Sequence, residues 1–268
     1  MLKDITLGQY FPGNSIAHKL DPRTKILLVT LYIIALFSAK GWMGYAVMAV
    51  TLAACVKVSH VGLRALVRGL KPLVFIIAFT GILNMFFTPD THYLWEWGIL
   101  RVSVKGIENA LFMVIRIMLL VMGTFLMTYT TSPIRLTDGL ESLLNPLKKI
   151  HVPVHELAMM MAIALRFIPT LIEETDKIMS AQKARGADFD SGNIFQKAKA
   201  LVPILVPLFI SAFRRADELA TAMECRCYHG GEGRTKLHVL KYQRRDYVAL
   251  AGGVVILVLV VVLRRLGA

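Results

Sequence analysis

Acid and cysteine are scarce in this 268-residue chain, and each shortage removes a class of protein. Three cysteines cannot build an extracellular disulfide framework here: Cys55 falls in an apolar run, and Cys225 and Cys227 fall in a polar region. No structural disulfide is expected. Only 18 Asp and Glu oppose 31 Lys and Arg, a net charge of +13. The basic residues are scattered over the loops of an apolar chain and accompany no RNA- or DNA-binding motif, so no nucleic-acid partner is expected. Attraction to anionic lipid headgroups accounts for most of this charge.

Motifs of chemistry are missing too. No Gly-x-x-x-x-Gly-Lys-Ser/Thr phosphate loop occurs, so the chain does not bind ATP by that device. Gly230-Gly231-Glu232-Gly233 has no strand before it and no lysine after it, and it reads as a flexible exit from a helix. His151 and His155 stand four apart, but Pro153 lies between them and no His-Glu-x-x-His pattern is present. Cys225, Cys227 and His229 could offer soft ligands, yet Cys-x-Cys on a helical end diverges and no fourth ligand is near. No metal, cofactor or nucleophile–base pair can be named, and the chain reads as non-catalytic.

What the chain has in abundance is apolar surface: 56% of its residues are hydrophobic and the mean hydropathy is +0.58. A bilayer-spanning helix needs about 20 mainly apolar residues. Lys25 to Ala39, Trp42 to Val58, Pro72 to Phe87, Ile107 to Thr130 and Tyr247 to Leu263 come near that length. The fold class is therefore an all-α integral membrane protein with about five transmembrane helices. Met1 to Asp21 is polar and interrupted by Pro12 and Gly13, so no cleavable signal is expected there.

Lys and Arg near span ends favour the cytoplasmic side. Lys3, Lys19, Arg23 and Lys25 place the N-terminus inside, and Lys57, Arg64, Arg68 and Lys71 do the same for the second loop. The third loop balances Asp90, Glu96 and Glu108 against Arg101 and Lys105, and its Tyr93, Trp95 and Trp97 suit the outer interface. Five spans then leave the C-terminus outside, although Arg264 and Arg265 pull the other way.

Of the 18 acidic residues, 13 lie between Pro133 and Asp246, where Pro146, Pro153, Pro169, Pro203 and Pro207 also interrupt the apolar runs. Three domains follow: an N-terminal arm with four spans over residues 1–132, a cytoplasmic or half-embedded helical domain over 133–245, and a C-terminal span over 246–268. Within the middle domain the pattern predicts helices from Ile134 to Ile150, Val154 to about Ala187 and Gly192 to Tyr228. The last two each begin apolar and end charged. An apolar half of about ten residues covers only about 15 Å, half of a bilayer core, so these helices are expected to lie along the membrane or dip into it.

The charged ends repeat. Arg185 and Arg226 are forty-one residues apart, and that offset also lays Asp176 on Asp217 and Ala181 on Ala222. The small residue one turn before each arginine shares its face and lets another surface approach. An arginine at a helix C-terminus gains about 0.3–1 kcal/mol from the dipole whatever it touches, so either site alone has that simpler explanation. As a pair at fixed spacing, the two guanidinium forks suit docking into grooves lined by carbonyls and carboxylates. Gly186 reads as a helix terminator, a role less natural for Cys227.

Ala184-Arg185-Gly186 and Cys225-Arg226-Cys227, together with His18-Lys19-Leu20-Asp21-Pro22-Arg23-Thr24-Lys25, resemble the transmembrane scaffold, or T component, of energy-coupling factor transporters along nearly the whole chain. The resemblance implies a non-catalytic subunit that joins two ATP-binding-cassette ATPases to a substrate-binding membrane protein, the S component, for uptake of a vitamin or metal ion across a prokaryotic cell membrane. It also implies that ATP is bound by the partner subunits and that Arg185 docks on one ATPase and Arg226 on the other. The second motif departs from the Ala-Arg-Gly form, with cysteines on both sides of its arginine.

For the S component, Met159, Met160 and Met161 offer a pliable apolar surface. Pro203, Pro207 and Ser211, four apart on one helical face, permit close approach. The alternative is a stand-alone secondary transporter or channel, which calls for intramembrane acids or broken spans at a midplane site. The four early spans carry hardly any ionisable residue except Arg116.

Overall fold

The computed structural model describes residues 10–88, 93–97, 100–189, 193–231 and 239–266. Residues 1–9, Asp90, Glu232 and Gly233 therefore lie outside the described residues. The regular elements among the described residues are helices and one short ribbon: α1 (Ile16–Lys19), α2 (Pro22–Ser38), α3 (Gly41–Ser59), α4 (Leu63–Leu70), α5 (Val74–Phe87), β1 (Tyr93–Trp97), β2 (Leu100–Ser103), α6 (Val104–Thr130), α7 (Pro133–Leu144), α8 (Val154–Ala184), α9 (Ile194–Glu224) and α10 (Arg244–Arg265). Short 3-10 segments join α4 to α5 (Lys71–Leu73) and follow α7 (Asn145–Ile150). It is an all-α membrane protein.

Six helical segments have the length and composition to cross a bilayer: Gly41–Ser59, Leu63–Phe87, Val104–Thr130, Val154–Ala184, Phe195–Glu224 and Arg244–Arg265. Four of these contain expected spans, and the remaining expected span is the 17-residue α2. The long α8 and α9 also qualify by length and apolar content. The antiparallel ribbon β1–β2 lies in what the sequence reads as a plain loop, with Glu96 opposite Arg101 and Trp97 opposite Leu100. Aromatic and β-branched residues favour such pairing where a segment is too short for a stable helix.

The described residues divide into two compact units, one within Gly8–Leu140 and Leu240–Ala268, the other within Glu141–Val239. In the first, Leu36, Tyr45, Met48, Leu52, Leu66, Leu119 and Val260 form a core contributed by α2, α3, α4, α6 and α10. Close approach depends on Gly123, where a Cβ would lie 2.4 Å from Cε1 of Tyr32. The Tyr32 hydroxyl donates to the Leu119 carbonyl at 2.9 Å. Arg116 is satisfied internally: its Nε donates to the Tyr45 hydroxyl at 2.8 Å and its guanidinium lies over the rings of Phe37 and Tyr45.

Helix ends hold this unit together. Asp21 caps α2, accepting from the Arg23 amide at 2.9 Å, with Pro22 at the first helical position, where no amide hydrogen is needed. Asp246, 1% exposed, accepts from the amides of Gln243 at 2.8 Å and Asp21 at 2.9 Å, so one carboxylate caps α10 and ties down the start of α2. Buried Lys25 donates its ammonium to the Thr130 carbonyl at 2.8 Å and to the Thr131 hydroxyl at 3.0 Å, satisfying the C-terminal end of α6. The Asp-Pro-Arg-Thr-Lys run thus has a structural task independent of any partner.

The second unit is differently built. Among its described residues only Val154 and Ile204 are buried hydrophobics, while α9 exposes Leu205, Phe209 and Phe213. His155 pairs its Nδ1 with Glu141 at 3.0 Å, and Gly231 lies so close to the His155 ring that a Cβ there would come within 2.6 Å. Gly231 therefore packs on the start of α8, where a free exit is expected from sequence. His151 ends the 3-10 turn at φ 61° whereas His155 belongs to α8, so the two do not share a helical face.

Candidate functional site

α8 runs 31 residues with Pro169 inside it, and α9 runs 31 residues with Pro203 and Pro207 inside. α8 ends three residues short of the expected Ala187 and α9 four short of the expected Tyr228, because the chain turns at each arginine. At the first tip, the amide of Arg185 donates to the carbonyls of Ala181 and Gln182, that of Gly186 to Lys183 at 3.0 Å and that of Ala187 to Gln182 at 3.0 Å. At the second, the amide of Arg226 donates to Met223 at 3.1 Å, that of Cys227 to Glu224 at 2.8 Å and that of Tyr228 to Met223 at 3.1 Å.

The bond from Ala187 to Gln182 falls on the bond from Tyr228 to Met223 at the same forty-one-residue offset. Both are the six-to-one closure of a Schellman cap, which places the residue just before the donor in the left-handed region. Gly186 takes it at φ 87° and Cys227 at φ 57°. Cys227 thus does what Gly186 does, at a steric cost of about 1 kcal/mol that glycine avoids. The departure of the second motif changes its side chains and leaves its backbone course unchanged.

Both motifs are presented outward. Ala181, Ala184, Arg185 and Gly186 are exposed on the first tip, and Ala222, Cys225, Arg226 and Cys227 on the second. Among the described residues no carboxylate of this chain pairs with either guanidinium. Each tip therefore offers a charged fork beside a small residue, held on a capped helix end, with its donors free for an acceptor elsewhere.

The other candidates lie on the apolar parts of the same helices. Met160 and Met161 are 54% and 45% exposed on α8, with Met159 half-buried beside them. Pro203 and Pro207 are exposed on α9, but Ser211 is half-buried and donates its hydroxyl to Glu174 of α8. Arg215 joins the same carboxylate through Nη2 at 2.9 Å. Sequence reasoning missed this junction although a signal was available: the offset that superposes the arginines lays Glu174 on Arg215, two opposite charges at one repeat position.

Comparison with known proteins identifies the family. The profile of the family described as CbiQ, cobalt transport protein, matches residues 13–237. A protein of Ruminiclostridium cellulolyticum named energy-coupling factor transporter transmembrane protein EcfT is 52% identical over 263 residues, covering 98% of each chain. Proteins of the same name are 56% identical over 250 residues in Clostridium kluyveri, covering 93% of each chain, and 46% identical over 264 residues in Bacillus subtilis, covering 98% of this chain and 100% of that one. With matches at 46–56% identity over nearly the whole chain, the chain belongs to the family of energy-coupling factor transporter transmembrane proteins, the T components of these transporters.

Proposed function

We propose that this chain is the non-catalytic coupling subunit of an importer in which two ATP-binding-cassette ATPases drive uptake of a vitamin or metal ion held by a separate S component. The observation that carries the reading is the pair of exposed arginines on helix ends with superposable caps. Arg185 with Ala181, Ala184 and Gly186 docks on one ATPase, and Arg226 with Ala222, Cys225 and Cys227 on the other. ATP is bound by those partners, and this chain needs no cofactor of its own. Met159, Met160, Met161, Pro203, Pro207 and Ser211 belong to the surface that receives the S component, pliable through its methionines and closely approachable at its prolines.

Residues 133–245 act as the coupling domain, between four N-terminal spans and a C-terminal span in the prokaryotic cell membrane. The basic N-terminal arm and second loop put the N-terminus and the coupling domain on the cytoplasmic side, where ATP is present, and leave the C-terminus outside. Closure of the ATPase pair on ATP would change the spacing of the two tips, and the helices would carry that change to their apolar halves.

Reversing both charges, Arg185→Glu with Arg226→Glu, tests the reading. Truncating or inverting a desolvated, hydrogen-bonded charge at an interface costs about 2–5 kcal/mol, so two such changes should abolish co-purification of the ATPases and ATP-dependent uptake together. ATPases that stay bound with transport intact would disprove it.

A further inference from the structure

The joint between α8 and α9 falls at a special place on the repeat. Glu174 divides its carboxylate between two donors on α9, Oε1 taking the Ser211 hydroxyl and Oε2 taking Nη2 of Arg215 at 2.9 Å. Glu174 stands eleven residues before Arg185, and Arg215 stands eleven before Arg226. Two equivalent residues of a repeated helix that touch each other mark the point about which the two copies are related. Here that point joins opposite charges, so each copy supplies what the other lacks.

Eleven residues amount to about 16 Å and to three turns with about 20° left over. On each helix the joint and the arginine therefore share one stripe, and the two arms from joint to tip are equal in length. Upstream, α8 begins twenty residues before Glu174 and α9 twenty-one before Arg215, so the apolar arms match as well. The polar linkage is also narrow, running from one carboxylate of α8 to two side chains one turn apart on α9. Arg215 offers one nitrogen and not the two-pronged fork that fixes a carboxylate's plane, and its Nε is buried with no partner among the described residues. One residue of α8 holds one turn of α9, which fixes the crossing point along both helices, so that a change in tip spacing calls for a change in their mutual angle about that point.

We propose that Glu174, Ser211 and Arg215 form the pivot pin of the two arginine-tipped helices, positioning residues that keep the arms equal so that movement of the tips reaches the apolar halves. Its role in transport rests on the function proposed above, whereas the pin itself is a property of this chain alone.

Two measurements separate these. Spin labels at the equivalent exposed positions 180 and 221 (Ser180→Cys and Thr221→Cys, with native cysteines replaced by serine) report the distance between the tips of the purified chain in nanodiscs. The native chain is expected to give one narrow distribution. Glu174→Gln and Arg215→Gln should each broaden it at least twofold, and the exchange Glu174→Arg with Arg215→Glu should narrow it again. In liposomes holding the full complex, each single variant should retain the ATPases but lose roughly tenfold in uptake per ATP hydrolysed, and the exchange should recover at least half of the native ratio. Unchanged distance widths in both single variants, or an exchange as broad as either, would overturn the pin. Broadened widths with an unchanged uptake ratio would overturn its part in coupling. A native chain that binds no ATPase would overturn the functional reading, and the distances would still decide the pin.

Discussion

The two compact units solve opposite problems. Within Gly8–Leu140 and Leu240–Ala268 the polar groups turn inward: Asp246 and Lys25 are almost fully buried and spend their hydrogen bonds on helix ends, around a core that includes Leu36 and Met48 at 0% exposure. Within Glu141–Val239 the described helices bury almost nothing of their own; Glu174, Ser211 and Arg215 tie α8 to α9, and Arg185 and Arg226 are exposed at the tips. In the first unit the starts of α2 and α10 and the end of α6 are satisfied internally, as an apolar solvent demands, while its span faces, Phe75 and Val248 among them, stay exposed around a buried core. The second is built to be completed by something else, because so much apolar area on long helices is stable only when another surface or lipid covers it.

Substitutions can break that contrast or sharpen it. Leu36→Ala should have the largest effect on the fold, about 2–5 kcal/mol, since a fully buried leucine leaves a cavity that the packed helices cannot close. A thermal-stability series on detergent-solubilised protein, followed by size-exclusion elution, would read it. Asp246→Ala should come next at about 2–3 kcal/mol, because the amides of Asp21 and Gln243 lose their acceptor in a buried place. Asp246→Asn keeps one acceptor oxygen and should recover part of that loss on the same elution assay.

At the tips the expected change is smaller and of opposite sign. Cys227→Gly should stabilise α9's end by about 1 kcal/mol by relieving the left-handed residue, and Gly186→Ala should destabilise α8's end by a similar amount. Hydrogen exchange of the Tyr228 and Ala187 amides would compare the two caps directly. Smallest of all for the fold is Phe209→Ala, since the ring is 67% exposed: stability should stay within about 0.5 kcal/mol. Its cost should appear instead as weaker recovery of the S component in pull-downs, and loss of fold with partner binding unchanged would reverse the contrast between the units.

Much of this was readable from the chain, in different degrees for the two units. Apolar runs locate membrane helices because a bilayer imposes a fixed length on any segment that crosses it. The arginine repeat is visible because equivalent ends carry equivalent residues, Ala181 with Ala222 and Arg185 with Arg226. The helix cap at Cys227 went against residue preference: a cysteine accepts the left-handed turn when the six-to-one bond of Tyr228 and the chain beyond it demand one. Packing of Gly231 on His155 and pairing of β1 with β2 likewise depend on where the chain returns, which local composition does not encode.

Composition and periodicity by themselves determined that this is a helical membrane protein with two matched, arginine-tipped helices, because hydropathy and repetition are local properties of a sequence. Only the tertiary structure decided that Asp246 reaches Asp21 across 225 residues, that Lys25 closes the end of α6, and that Glu174 meets its own repeat equivalent, Arg215. The physical reason is common to all three. A charge taken wholly or partly out of water calls for a partner, and which partner lies within about 3 Å is settled by how helices pack, not by how far apart two residues stand along the chain.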